Sequence, residues 1–67
     1  MGYPFQTVSA TETANFVDIT LNVGPILAID FYQRMYEHGL RVLKSDWVSG
    51  TELRALCEKL PTFKVLP

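Results

Sequence analysis

The segment from Pro25 to Lys44 constrains the fold most. Polar side chains stand at Asp30, Gln33, Arg34, Glu37, His38, Arg41 and Lys44, and apolar ones at Leu27, Ala28, Phe31, Tyr32, Met35, Tyr36, Leu40, Val42 and Leu43. That spacing has a period near 3.6 residues and predicts a long amphipathic helix opened by Gly24-Pro25. Asp30 with Arg34 and Glu37 with Arg41 are acid-first pairs one turn apart, which support a helix on its solvent side. Gly39 admits two readings. It can lie inside a continuous helix, where it would allow another backbone to approach closely, or it can terminate the helix and leave Leu40–Leu43 to continue as a strand. The unbroken phase of the apolar stripe favours the continuous helix.

On either side the pattern changes. Residues 1–14 are small and polar and read as an extended arm, with Phe5 and Val8 pinned to the body. Val17, Ile19, Leu21 and Val23 alternate with Asp18, Thr20 and Asn22. Such a period of two, rich in β-branched residues, predicts a half-buried strand. A helix over Thr11–Asn22, with Ala14, Val17 and Leu21 on one face, is the competing reading. After the connection Ser45-Asp46-Trp47, Ser49-x-x-Glu52 has the form of a capping box, and Val48 with Leu53 that of a hydrophobic staple. Together they predict a second, shorter helix with Leu53, Leu56, Cys57 and Leu60 inside and Pro61 as its stop. Thr62–Pro67 reads as an edge strand or a terminal arm, so residues 61–67 form the other arm of a single domain spanning 1–67.

The expected fold class is therefore α+β: an N-terminal arm and strand or hairpin packed on the long amphipathic helix and the shorter one. An all-α helical hairpin is the alternative. The run Val48-Ser-Gly-Thr-Glu-Leu-Arg-Ala-Leu-Cys-Glu-Lys-Leu60 resembles the first helix of small helix-turn-helix repressors. The resemblance covers that run alone, and no turn and recognition helix follow it, so DNA binding is not carried over.

Composition then narrows the function classes. Nearly half of the 67 residues are hydrophobic (48%) and 19% are charged, which is too apolar for a disordered tail. The formal charge is −1, and Lys and Arg are interspersed with acids. No basic stripe suited to phosphates arises, so a small DNA-binding regulator is disfavoured. The longest apolar run, Pro25–Ile29, is far short of a bilayer span, and the N-terminus carries no leader pattern. A soluble, cytoplasmic protein is expected, with no membrane and no nucleic acid among its partners.

No catalytic residue, metal site or cofactor is expected. His38 sits beside Arg34 and Arg41 without a nucleophile one turn away, and Cys57 lies on an inner stripe as a small core side chain. One Cys and one His do not assemble a structural zinc site, and a disulfide within the chain is impossible. A domain this small hides only about 60% of its unfolded surface and commonly needs a staple or a partner. Self-association is the remaining supplement. Tyr and Trp are enriched at interface hot spots, so the interface candidates are Phe31, Tyr32, Met35, Tyr36, Gly39 and Trp47. The resulting expectation is a non-enzymatic protein-interaction module that forms a homodimer through the long helix and binds an unidentified protein. The alternative is an accessory inhibitor of the kind phages and mobile elements encode, docked on a host protein.

Overall fold

A computed structural model describes residues 5–63. The elements run β1 (Gln6–Glu12), β2 (Phe16–Asn22), α1 (Ala28–Glu37), β3 (Leu40–Trp47) and β4 (Glu52–Lys59). The strands form one antiparallel sheet in the order β1-β2-β4-β3, so β4 inserts between the two strands that α1 connects.

Alternation along β2 and β4 builds the core. Val17, Ile19 and Leu21 face Cys57, Ala55 and Leu53 across the ladder, and all six are buried on the helix side. α1 lays Phe31 and Met35 onto this surface, and Leu40 at the start of β3 completes it. Phe5 stacks on Phe31 with ring centroids 5.6 Å apart, which secures the chain just before β1 to the helix. The strand expected from the alternation at Val17–Val23 is thus present as β2.

The rest of the expected fold is corrected. Among the described residues there is one helix of ten residues rather than a long amphipathic helix, with no second helix and no all-α hairpin. The helix ends at Glu37 because Gly39 takes a left-handed φ of +80° and donates its N–H to the Tyr36 carbonyl at 2.8 Å. A Cβ at Gly39 would lie 2.3 Å from the backbone of Phe63, so glycine is required both for the turn and for the approach of the chain after β4. Beyond it, Leu40–Trp47 is a strand. There Arg41 pairs across the sheet with Glu58 rather than back along a helix with Glu37.

The segment that resembles a repressor helix is the turn and second strand of the β3–β4 hairpin. Ser49 does cap, but it caps a turn: its Oγ accepts the N–H groups of Thr51 at 3.4 Å and Glu52 at 3.1 Å, while Val48 donates to the Glu52 carbonyl at 2.8 Å. Glu52–Lys59 then alternates, with Leu53, Ala55 and Cys57 inside and Leu56 on the open face. The N-terminal arm contributes β1, paired to β2 and exposed along its whole length. Residues 1–4 of that arm, and the edge strand expected over Thr62–Pro67 beyond Phe63, lie outside the described residues.

Candidate functional site

An apolar flank lies where α1 overhangs β3. A groove of about 370 Å³ runs between them, lined by Ile29, Tyr32, Gln33 and Tyr36 of the helix and by Leu40, Arg41 and Val42 of the strand. Ile29 is 70% exposed, Tyr36 63% and Tyr32 47%, although all three are large side chains on a helix whose other side is core. Two of them are placed by the helical period itself, since Tyr32 and Tyr36 are one turn apart. The Tyr32 hydroxyl and Ser45 Oγ are 3.3 Å apart, which ties the middle of the helix to β3. At the far end of β3, Trp47 is 54% exposed and borders a second cavity of about 440 Å³ with Pro25, Ile26, Leu27 and Gly50.

β3 is also a sheet edge, and its free backbone groups can be assigned. Leu60 donates to the Gly39 carbonyl and Val48 to the Glu52 carbonyl, so these opposed residues are hydrogen-bonded pairs. By antiparallel alternation, Arg41, Lys44 and Asp46 turn their backbone toward β4. Leu40, Val42, Ser45 and Trp47 turn theirs outward. Their side chains lie opposite Lys59, Cys57, Ala55 and Leu53 and so on the helix side. An irregularity between Val42 and Lys44 leaves Leu43 as an extra residue in mid-strand.

The sheet's other face is bare and charged. Arg54 holds Asp18 through two bonds, Nε to Oδ1 at 3.0 Å and Nη2 to Oδ2 at 2.7 Å, and stands opposite Asp46 on β3. The guanidinium hydrogen bond keeps the Asp18 carboxyl below the ordinary aspartate range. Asp18 in turn raises Arg54. A second pair, Arg41 with Glu58, lies nearer the other end of β3. Both sets end at the β3 edge, one on an acid and one on a base.

The residues expected at an interface are divided by the fold. Tyr32 and Tyr36 line the groove, and Trp47 stands at the far end of β3 beside the second cavity. Phe31 and Met35 are fully buried in the core, and Gly39 is buried in the turn against Phe63. Composition did not single out Ile29, Val42, Ser45, Arg41 or Asp46. The signal that could have found the last four is the alternation in Leu40–Trp47, which the helical period obscured.

Cys57 is buried, and burial first, then the charge of Asp18, pushes its thiol up to about 11. A thiol so held is protonated at neutral pH and a poor nucleophile. His38 caps the C-terminus of α1, its N–H donating to Met35, and its Nδ1 is buried without a partner. Among the described residues no three of His, Cys, Asp and Glu gather to hold a metal, and no helix is long and apolar enough to cross a membrane. No family model matches the chain, and neither a curated protein nor a solved structure shows significant similarity to it.

Proposed function

We propose that this chain is a protein-interaction module, working by binding rather than by catalysis, and that it docks through the flank formed by α1 and β3. The observation that carries this reading is the coincidence of exposed Ile29, Tyr32, Tyr36 and Trp47 with an open strand edge. An open edge offers backbone hydrogen bonds to an added strand, and adjacent apolar pockets supply side-chain selectivity, which together are the requirements of strand addition. Aromatic side chains with a polar tip suit an interface that is wet before binding and buried after it. The mixed charge of the bare sheet face argues against phosphate binding there, since acids alternate with each base. The cytoplasm is the compartment that fits a lone cysteine held as a free thiol in the core.

Site-specific photocrosslinking tests the reading. A benzoyl-phenylalanine at Tyr36 should form protein adducts, including adducts with a second copy. The same group at Thr11, on the opposite edge, should form far fewer. Equal yields from the two edges, or none from either, would remove the flank as a docking surface.

A further inference from the structure

We propose that the occupant of the β3 flank is a second copy of this chain, joined edge to edge by antiparallel pairing of β3 with itself about a two-fold axis between Leu43 and Lys44. The inference rests on the flank being a docking surface and adds the partner and the register.

Three independent requirements select that register. The first is backbone valence. Residues whose N–H and C=O groups point outward must oppose one another, and placing Val42 against Ser45 of the second copy also sets Leu40 against Trp47, so all four outward-facing residues find partners. The second is side-chain face. These four are on the helix side, and a two-fold axis perpendicular to the sheet keeps them there in both copies. Trp47 of one copy then falls beside Leu40 of the other, at the Tyr36 end of the groove, and the exposed indole and the open cavity cover each other.

The third requirement is charge. On the bare face the same register puts Arg41 opposite Asp46 of the second copy, twice by symmetry. Within one copy the charges run Asp18, Arg54, Asp46 from β2 to the β3 edge, and Glu58, Arg41 toward that same edge. The pairing joins the ends into one row: Asp18, Arg54 and Asp46 continue into Arg41 and Glu58 of the second copy, with acid and base in strict alternation. Shifting β3 by one residue would set outward-facing backbone groups against inward-facing ones. A shift of two would move Asp46 away from Arg41. The opposite edge, Gln6–Glu12, carries no basic residue to make an equivalent pairing.

The test is a charge exchange in the full-length chain. In the purified wild type, sedimentation equilibrium should show a dimer at micromolar concentration. Arg41→Asp alone opposes Asp with Asp46, and Asp46→Arg alone opposes Arg with Arg41, so each single variant should dimerise about tenfold more weakly or worse. Mixing the two should restore association as a heterodimer, because both cross-copy pairs are then opposite in sign; native mass spectrometry distinguishes the two chains by mass. Far-ultraviolet circular dichroism checks that each variant is folded. If losing the Glu58 partner unfolds Arg41→Asp, Ser45→Pro serves instead: it deletes an outward N–H without removing a bond to β4, and it should yield a folded monomer.

A wild type that stays monomeric, single variants that dimerise normally, or a mixture that forms no heterodimer would each overturn the self-pairing. Adducts at Tyr36 with other proteins, from a chain that is monomeric when pure, would leave the docking surface standing and replace its occupant. Failure of the crosslinking as well would remove both.

Discussion

The two faces of the sheet use the same alternating strands for opposite purposes. Under α1, side chains from β2, β3 and β4 are excluded from water and packed on Phe31 and Met35. On the other face, Asp18, Arg54, Arg41 and Glu58 sit in solvent with Phe16 and Leu56 half covered among them. Burial on the first face scales with apolar area removed from water, whereas each ion pair on the second is screened and contributes little. The stability of a single copy should therefore reside on the covered face, with little contributed by the ion pairs of the other.

Phe31→Ala should give the sharpest expression of that difference. Removing a fully buried ring at the centre of the covered face costs roughly 3–5 kcal/mol, a large part of the stability of so small a domain. Chemical denaturation should show a transition shifted far toward zero denaturant. A loss below 1 kcal/mol would mean that the helix hardly holds the sheet. Gly39→Ala should follow, at roughly 1–3 kcal/mol for a left-handed φ alone, with more from the clash against the Phe63 backbone. Thermal unfolding would measure it, and a neutral result would show that the turn relaxes freely.

Alkaline pH probes the covered face without changing its shape. The Cys57 thiol has a folded pKa of about 11 against 9.0 for the free group, so the unfolded chain ionises first. Its contribution is intact below pH 9 and declines as pH rises toward 11, with a slope approaching about 1.4 kcal/mol per pH unit. Cys57→Ala should flatten that limb relative to wild type. Parallel limbs would mean that the thiol is hydrated in the folded chain.

Ser49→Ala, in the exposed turn, should cost about 1 kcal/mol by leaving two turn amides to water. Asp18→Asn, on the bare face, should have the smallest effect. Its lowered pKa means that the ionised form supports folding above the ordinary aspartate range, and that support fades as pH falls through the folded value. The substitution should lower stability slightly at neutral pH, and the difference from wild type should vanish in acid, so that the acid limb flattens. A large loss at neutral pH would erase the distinction between the faces.

The covered face also explains which parts of the fold can be read from the sequence. β2 is legible because Val17, Ile19 and Leu21 alternate with polar residues, whereas the competing helix over Thr11–Asn22 gathers only Ala14, Val17 and Leu21 on one face. Glu52–Lys59 is not, because Leu53, Leu56, Cys57 and Leu60 satisfy a helical period while Leu53, Ala55 and Cys57 satisfy a strand period. The Leu56 side chain, exposed on the bare face, tips a local reading toward helix. Ser49 adds to the ambiguity, since a hydroxyl that accepts N–H groups two and three residues on caps a turn as readily as a helix. What decides is nonlocal: β2 and β3 both need a partner, and β4 supplies both at once. Gly39 carried the information that α1 stops, yet an in-phase stripe on either side of a glycine does not reveal its φ. Of the candidate site, Tyr32, Tyr36 and Trp47 follow from residue type, whereas Arg41, Ser45 and Asp46 acquire meaning only as neighbours along an edge.

The order β1-β2-β4-β3 has a consequence for how the protein is made. The strand that ends in the centre of the sheet is synthesised after the three it unites. While residues up to Trp47 leave the ribosome, β1 and β2 can close as a hairpin and α1 can coil. β2 and β3, however, have a gap of one strand between them, and Val17, Ile19 and Leu21 lack the row of Cys57, Ala55 and Leu53 beside them. The sheet therefore cannot be completed until Glu52–Lys59 is available to fill the gap. A chain cut short before β4 leaves β2 and β3 unjoined and their apolar rows uncovered, which makes it an aggregation-prone fragment rather than a smaller domain.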